Sequence, residues 1–170
     1  MPPILNELNI AGFLEPRDVN KLLEITQDQV RDWRRRFPDL MAGIGEQDES
    51  GRWRYRPYHF IELAIVRELR SAGIDISYAL AIAHHVYMHV VSWLSFDTLD
   101  RANREFSYVV AWELPDGHLD FYDLRDLSKI PEFNRPLAFL IDTFQIAKAI
   151  EPRIAARENG AADQTPKFDR

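Results

Sequence analysis

The chain has 170 residues and not one cysteine. Disulfides, thiolate metal sites and cysteine nucleophiles are therefore excluded, and the composition suits a reducing compartment. No glycine-rich phosphate loop and no nucleophile elbow occurs among the 7 glycines, and the carboxylates suggest no acid/base pair, so no catalytic role is assigned. The first residues, MPPILNELNIAGFLEP, lack a basic segment followed by an apolar run and do not read as a secretory signal. Residues 77–96 lack Asp, Glu, Lys and Arg, but His84, His85 and His89 near the middle make hydrocarbon a poor solvent for them. A buried helix is expected there, in a cytoplasmic protein with no membrane partner.

What is present is globular: 46% of residues are hydrophobic and 28% charged, far from the composition of a disordered chain. The net charge of −6 argues against a polyanionic partner only until it is divided. Residues 16–70 hold 11 Lys and Arg against 10 Asp and Glu, whereas residues 71–170 hold 10 against 15. Arg31, Arg34, Arg35 and Arg36 cluster, and Arg52, Arg54 and Arg56 alternate soon after. Phosphate binding needs a local cationic face, which this distribution offers.

Along the chain, a short helix with Val19, Leu22 and Leu23 on one face follows Pro16. Thr26 is placed to cap a second helix carrying Val30, Trp33 and Phe37 at helical spacing. Two short helices joined by a tight turn make a helix-turn-helix pattern. Pro38 ends the second helix, and residues 40–57, with Gly45, Asp48, Ser50 and Gly51 at their centre, read as a β-hairpin wing. A helix opened by Pro57 and closed by Gly73 follows, then an apolar helix over about 76–94. SYVVAWE and HLDFYDL around LPDG form a second hairpin, and a last helix is expected over about 135–157. The fold expected is mainly α with two small β-hairpins, a winged helix-turn-helix followed by a small α+β region. It divides into an extension (1–12), the winged domain (13–95), a hairpin-plus-helix partner region (96–157) and a disordered tail (158–170).

Particular residues sharpen this into a resemblance. Thr26, Gln29, Val30, Arg31, Asp32, Trp33 and Arg34 follow the pattern Ser-x-x-Thr-Leu-Arg-Tyr-Trp/Tyr-Glu, with Arg31 and Trp33 in register. Gly51, Arg52, Trp53, Arg54, Tyr55, Arg56 and Pro57 follow Gly-Tyr-Arg-Arg-Tyr-Ser-Pro, and LRSAGIDI follows the link into the next helix. In order and spacing the first half resembles the MerR-type winged helix-turn-helix. Two positions depart from that pattern: Trp53 stands where the family usually has a wing arginine, and Arg34 replaces a common glutamate.

The resemblance implies double-stranded DNA as partner and transcriptional regulation, without a cofactor. On a helix capped by Thr26, residues Gln27, Asp28 and Arg31 share the leading face and are expected to reach base edges, with Asp28 suited to a cytosine amino group. Arg34 and Arg35 lie a turn further, where phosphate is expected, as it is for Arg52, Arg54 and Arg56 once Trp53 and Tyr55 pack inward. One reading helix makes few base contacts, so a homodimer is expected, with Leu137, Ile141, Phe144 and Ile154 of the last helix at its interface. RNA polymerase or another protein is a further possible partner. Two other functions fit the same pattern: an excisionase-like protein that bends DNA, and an adaptor built on a repurposed winged fold. His85 and His89 have a spacing that can hold a metal but no visible third ligand, and Asp116, Asp120, Asp123 and Asp126 match no calcium loop. No metal site is expected.

Overall fold

The computed structural model describes residues 13–95, 108–124, 128 and 138–162. Helix α1 spans Pro16–Leu23, α2 Gln27–Arg36, α3 Pro38–Met41, α4 Pro57–Ser71, α5 Ile76–Ser95 and α6 Thr143–Ala162. Strands β1 (Glu46–Gln47) and β2 (Trp53–Arg54) form one antiparallel pair; β3 (Tyr108–Glu113), β4 (Leu119–Leu124) and β5 (Ala138–Asp142) form an antiparallel sheet in the order β4-β3-β5. No helix among the described residues is long and apolar enough to cross a membrane.

Local chemistry sets the helix-turn-helix. Pro16 starts α1, where its missing N–H is no loss. The helix ends at Glu24, whose φ of 57° is left-handed and unusual for a residue with a side chain. Arg67 of α4 holds that residue from across the fold, donating from Nη2 to its carboxylate at 2.6 Å. The Arg67 hydrogen bond draws the Glu24 carboxyl below its ordinary range. Thr26 then caps α2 reciprocally: its hydroxyl accepts from Gln29 N at 3.2 Å, and Gln29 Oε1 accepts from Thr26 N at 2.7 Å.

Helix α4 is the centre of the molecule, with every residue from His59 to Val66 buried. His59 is placed there by a hydrogen bond, its Nδ1 accepting from Arg56 N at 3.0 Å, and burial pushes its pKa down. Glu62 on the same helix is buried beside His84 of α5 at 3.2 Å; burial pushes its carboxyl up, and the histidine offsets part of that shift.

One hydrophobic cluster runs from Leu14 to Ile154 and takes in all of α1, α2, α4, α5, the inner face of the sheet and α6. Val109 and Ala111 of β3 and Ile141 of β5 face it, while Trp93 Nε1 donates to the buried Thr143 hydroxyl at 3.1 Å. Arg153 of α6 reaches back to α1, donating to the Leu22 carbonyl at 2.9 Å.

Three sequence expectations are corrected. The second helix ends before Pro38 as expected, but residues 38–41 form the short α3, which Pro38 opens, where the wing is expected to begin at residue 40. Residues 138–142 form a strand rather than the start of the last helix: β3 offers an open edge, and Val109↔Ile141 and Ala111↔Phe139 pair across it. Asp142 then caps α6, its Oδ1 accepting from Gln145 N at 3.0 Å. The helix runs on to Ala162, past the boundary at which a disordered tail was expected.

Candidate nucleic-acid interface

The winged face is built from α2, the β1–β2 hairpin and the bridge between Leu14 and Tyr55. Leu14 N donates to Tyr55 O at 2.7 Å and Tyr55 N to Leu14 O at 2.9 Å, so the segment before α1 acts as a third strand of the wing. The wing tip is held by one side chain. Asp48 Oδ1 accepts from Ser50 N at 2.9 Å, Ser50 Oγ at 2.6 Å and Arg52 N at 3.0 Å. The Ser50 hydroxyl is the main reason that its carboxyl lies below the ordinary range.

The first turn of α2 presents Gln27, Asp28 and Arg31 to solvent. The Asp28 and Arg31 side chains are 86% and 77% exposed and lie 3.1 Å apart as an ion pair. Such a pair is worth about 0–1 kcal/mol, so either member can leave it for a base edge. Thr26 sits at the same end, its hydroxyl committed to the cap.

Arg34 is placed differently from its expected role at phosphate. Its guanidinium lies over the Trp53 ring, 3.4 Å from the centroid, and Nη2 donates to Ile44 O at 2.8 Å and to the Tyr55 hydroxyl at 3.4 Å. It fastens the wing to α2, half-buried. Gly45 makes room for it: φ is +89°, and a Cβ there would lie 2.7 Å from Arg34 Nη2. The two departures from the family pattern, Arg34 and Trp53, are thus one contact.

Arg35 pairs with Asp32 at 2.6 Å, and Arg36, which sequence reasoning did not select, pairs with the same carboxylate at 3.4 Å. On the wing the expected alternation holds in part: Tyr55 is buried while Arg52 and Arg56 are exposed, but Arg54 is half-buried like Trp53. The wing is less cationic than its arginines suggest. Arg54 pairs with Asp48 at 3.0 Å, and Arg56 grips Glu46 through Nε and Nη2 at 2.5 and 3.1 Å, drawing that carboxyl down. Exposed Arg52 has its backbone N–H tied to Asp48 and its side chain turned out. Between α2 and the wing lies a small hollow lined by Pro16, Gln27, Arg31, Arg34, Trp53 and Tyr55.

The proposed dimer residues are placed elsewhere than expected. Ile141 (3% exposed) and Ile154 (0%) are in the chain's own core, Ile141 from a strand, so their burial needs no second subunit. Phe144 is half-buried against the edge of Trp93, and Leu137 lies outside the described residues. Two of the exposed apolar side chains share the outer face of the sheet: Tyr122 is 47% and Leu140 52% exposed, and both stand opposite Val110 in register.

No curated protein matches the chain. Residues 15–83, from the first helix through most of α5's first half, match the MerR HTH family regulatory protein. The N-terminal part of this chain is thus a MerR-type helix-turn-helix domain, and the match does not extend to the residues beyond 83.

Proposed function

We propose that the chain is a homodimeric, sequence-specific regulator of transcription that reads duplex DNA with α2 and steadies itself on the backbone with the wing. The observation that carries this reading is the open first turn of α2: in a MerR-type domain, Gln27, Asp28 and Arg31 stand exposed behind the Thr26 cap and beside the wing. Arginine is suited to the O6 and N7 acceptors of guanine, and aspartate to the amino group of cytosine. A G·C pair under this turn would exchange a weak internal ion pair for two base contacts. Arg35 and Arg56 then face phosphate by giving up Asp32 and Glu46, Arg54 by leaving Asp48, and Arg52 from its exposed position, while Arg34 keeps the wing at its angle.

Residues 13–95 carry the DNA contacts in this reading and residues 96–157 the self-association. Two reading helices about 34 Å apart on one face of the duplex double the base contacts. The outer face of the sheet, with Tyr122 and Leu140 open, is the surface on which a second copy is proposed to close. Cutting the chain after Leu94 would strip Ile150 and Ile154 from the shared core, so point substitutions test the division better.

Selection of bound sites from a random duplex pool tests the function. Two related half-sites about one helical turn apart, each holding a G·C pair, are expected; a pool without enrichment would refute sequence-specific reading, and a single half-site would refute the dimer. Leu140→Asp is expected to yield a monomer by sedimentation, with the DNA motif reduced to one half-site.

A further inference from the structure

Away from the winged face, the fold brings together three groups that lie far apart in sequence. His85 and His89 stand one turn apart on α5, and β4 carries Asp123 against the same face of that helix. The Nε2 atoms of both histidines lie 3.3 Å from the same oxygen, Asp123 Oδ1. All three ligand atoms are within 4.8 Å of one another. The His85 ring is stacked on Phe121 of β4, with centroids 4.0 Å apart and planes 6° from parallel, so its orientation is fixed by packing. His89 is mostly covered, at 19% exposure, whereas Asp123 is open enough at 36% for an ion and a water to enter.

We propose that His85, His89 and Asp123 form a binding site for one divalent transition-metal ion of the zinc class. Two neutral imidazole nitrogens and a carboxylate oxygen are a donor set that zinc accepts, with water as a fourth ligand. Tetrahedral bonds of about 2.0–2.1 Å require donors about 3.3 Å apart. The two nitrogen–oxygen edges already have that length, and the two imidazole nitrogens, within 4.8 Å of each other, complete the triangle. The absence of thiolates turns the site away from soft cations and towards this class. An ion here joins α5, the last helix of the region 13–95, to the C-terminal sheet, tying residues 38 apart in the chain. The proposal does not depend on DNA binding.

The test is titration of the intact, chelator-treated protein with Co2+ and then Zn2+. Saturation at one equivalent is expected, with the intense visible bands of four-coordinate cobalt, their loss on adding zinc, and a higher thermal midpoint with zinc bound. Asp123→Asn and His89→Gln are each expected to weaken zinc binding by roughly a hundredfold or more while the metal-free proteins melt as cooperatively as the parent. His84→Ala, on the same helix, should leave binding unchanged. Weak binding of several equivalents, a cobalt spectrum with only six-coordinate character, or variants that bind as the parent does would show that the cluster is a pair of histidine–aspartate ion pairs and would overturn the proposal.

Discussion

The wing and the C-terminal sheet are both small antiparallel structures, but different forces hold them. The wing has two-residue strands and is fixed mainly by polar side-chain contacts at or near the surface: the Asp48 carboxylate at its tip, the Arg56–Glu46 fork and the Arg34 guanidinium over Trp53. The sheet has strands of five and six residues and is fixed by burial of Val109, Val110, Ala111 and Ile141, with the Trp93–Thr143 hydrogen bond behind it. Exposed ion pairs can be traded for phosphate or a base at small cost, whereas buried aliphatic groups cannot be offered to a partner without opening the core. The exchangeable face is therefore the one suited to a ligand, and the sheet's contribution to assembly is limited to what its outer side leaves uncovered.

The largest effect expected from breaking this contrast is at Ile154, which has no exposed surface. Ile154→Ala should lower the unfolding free energy by about 2–5 kcal/mol, through lost transfer energy and the cavity left behind. The loss should be the same at low and high protein concentration in denaturant titrations. A penalty that grows on dilution would return Ile154 to a seam between chains.

Next comes the joint between α2 and the wing. Gly45→Ala should cost about 1–2 kcal/mol for its positive φ alone, with the crowding of Arg34 in addition. Combined with Arg34→Ala, the two losses should not add; a coupling of about 0.5–3 kcal/mol is expected from the double-mutant cycle. Strict additivity would mean that Arg34 does not set the wing's angle.

Arg31→Ala should weaken specific DNA binding by about 1–3 kcal/mol and leave the thermal midpoint nearly unchanged, because the side chain is open in the free protein. Unaltered affinity in a mobility-shift titration would remove Arg31 from the reading face. Arg52→Ala should weaken binding to all sequences alike and reduce the salt slope by about 1.

The smallest expected effect is the acid limb of stability. Burial holds the His59 pKa below its ordinary value of about 6.5, so the unfolded chain takes up the proton first as pH falls. Stability supplied by neutral His59 is complete above about 6.5 and is lost as pH drops towards the lowered folded value. His59→Gln, which keeps an acceptor for Arg56 N–H, should flatten this limb. The difference between the two proteins isolates the imidazole from Glu62, whose raised pKa acts in the opposite sense. Parallel pH profiles would show that His59 is no more buried as a base than in the unfolded chain.

Legibility followed the range of the interactions. The Thr26 cap, the two helices around the turn, the wing and the helix begun by Pro57 all rest on neighbours a few residues apart, and all were readable. The strand at 138–142 was not, because Leu140, Ile141 and Phe144 satisfy helical spacing equally well and only the open edge of β3 decides between them. The Asp142-x-x-Gln145 cap was the local signal that marks the true helix start.

The helix-turn-helix, the wing and the likeness to MerR-type domains follow from local sequence, since caps, turns and hydrophobic periods act within one element. The lack of cysteine also excludes thiolate from any metal site. Long-range packing is what sets Arg34 on Trp53 rather than leaving it free, puts Ile141 and Ile154 in the chain's own core, and brings Asp123 to His85 and His89. These meetings join residues tens of positions apart. Spacing along the chain carries no record of them; they are set by which apolar faces the whole molecule must bury together.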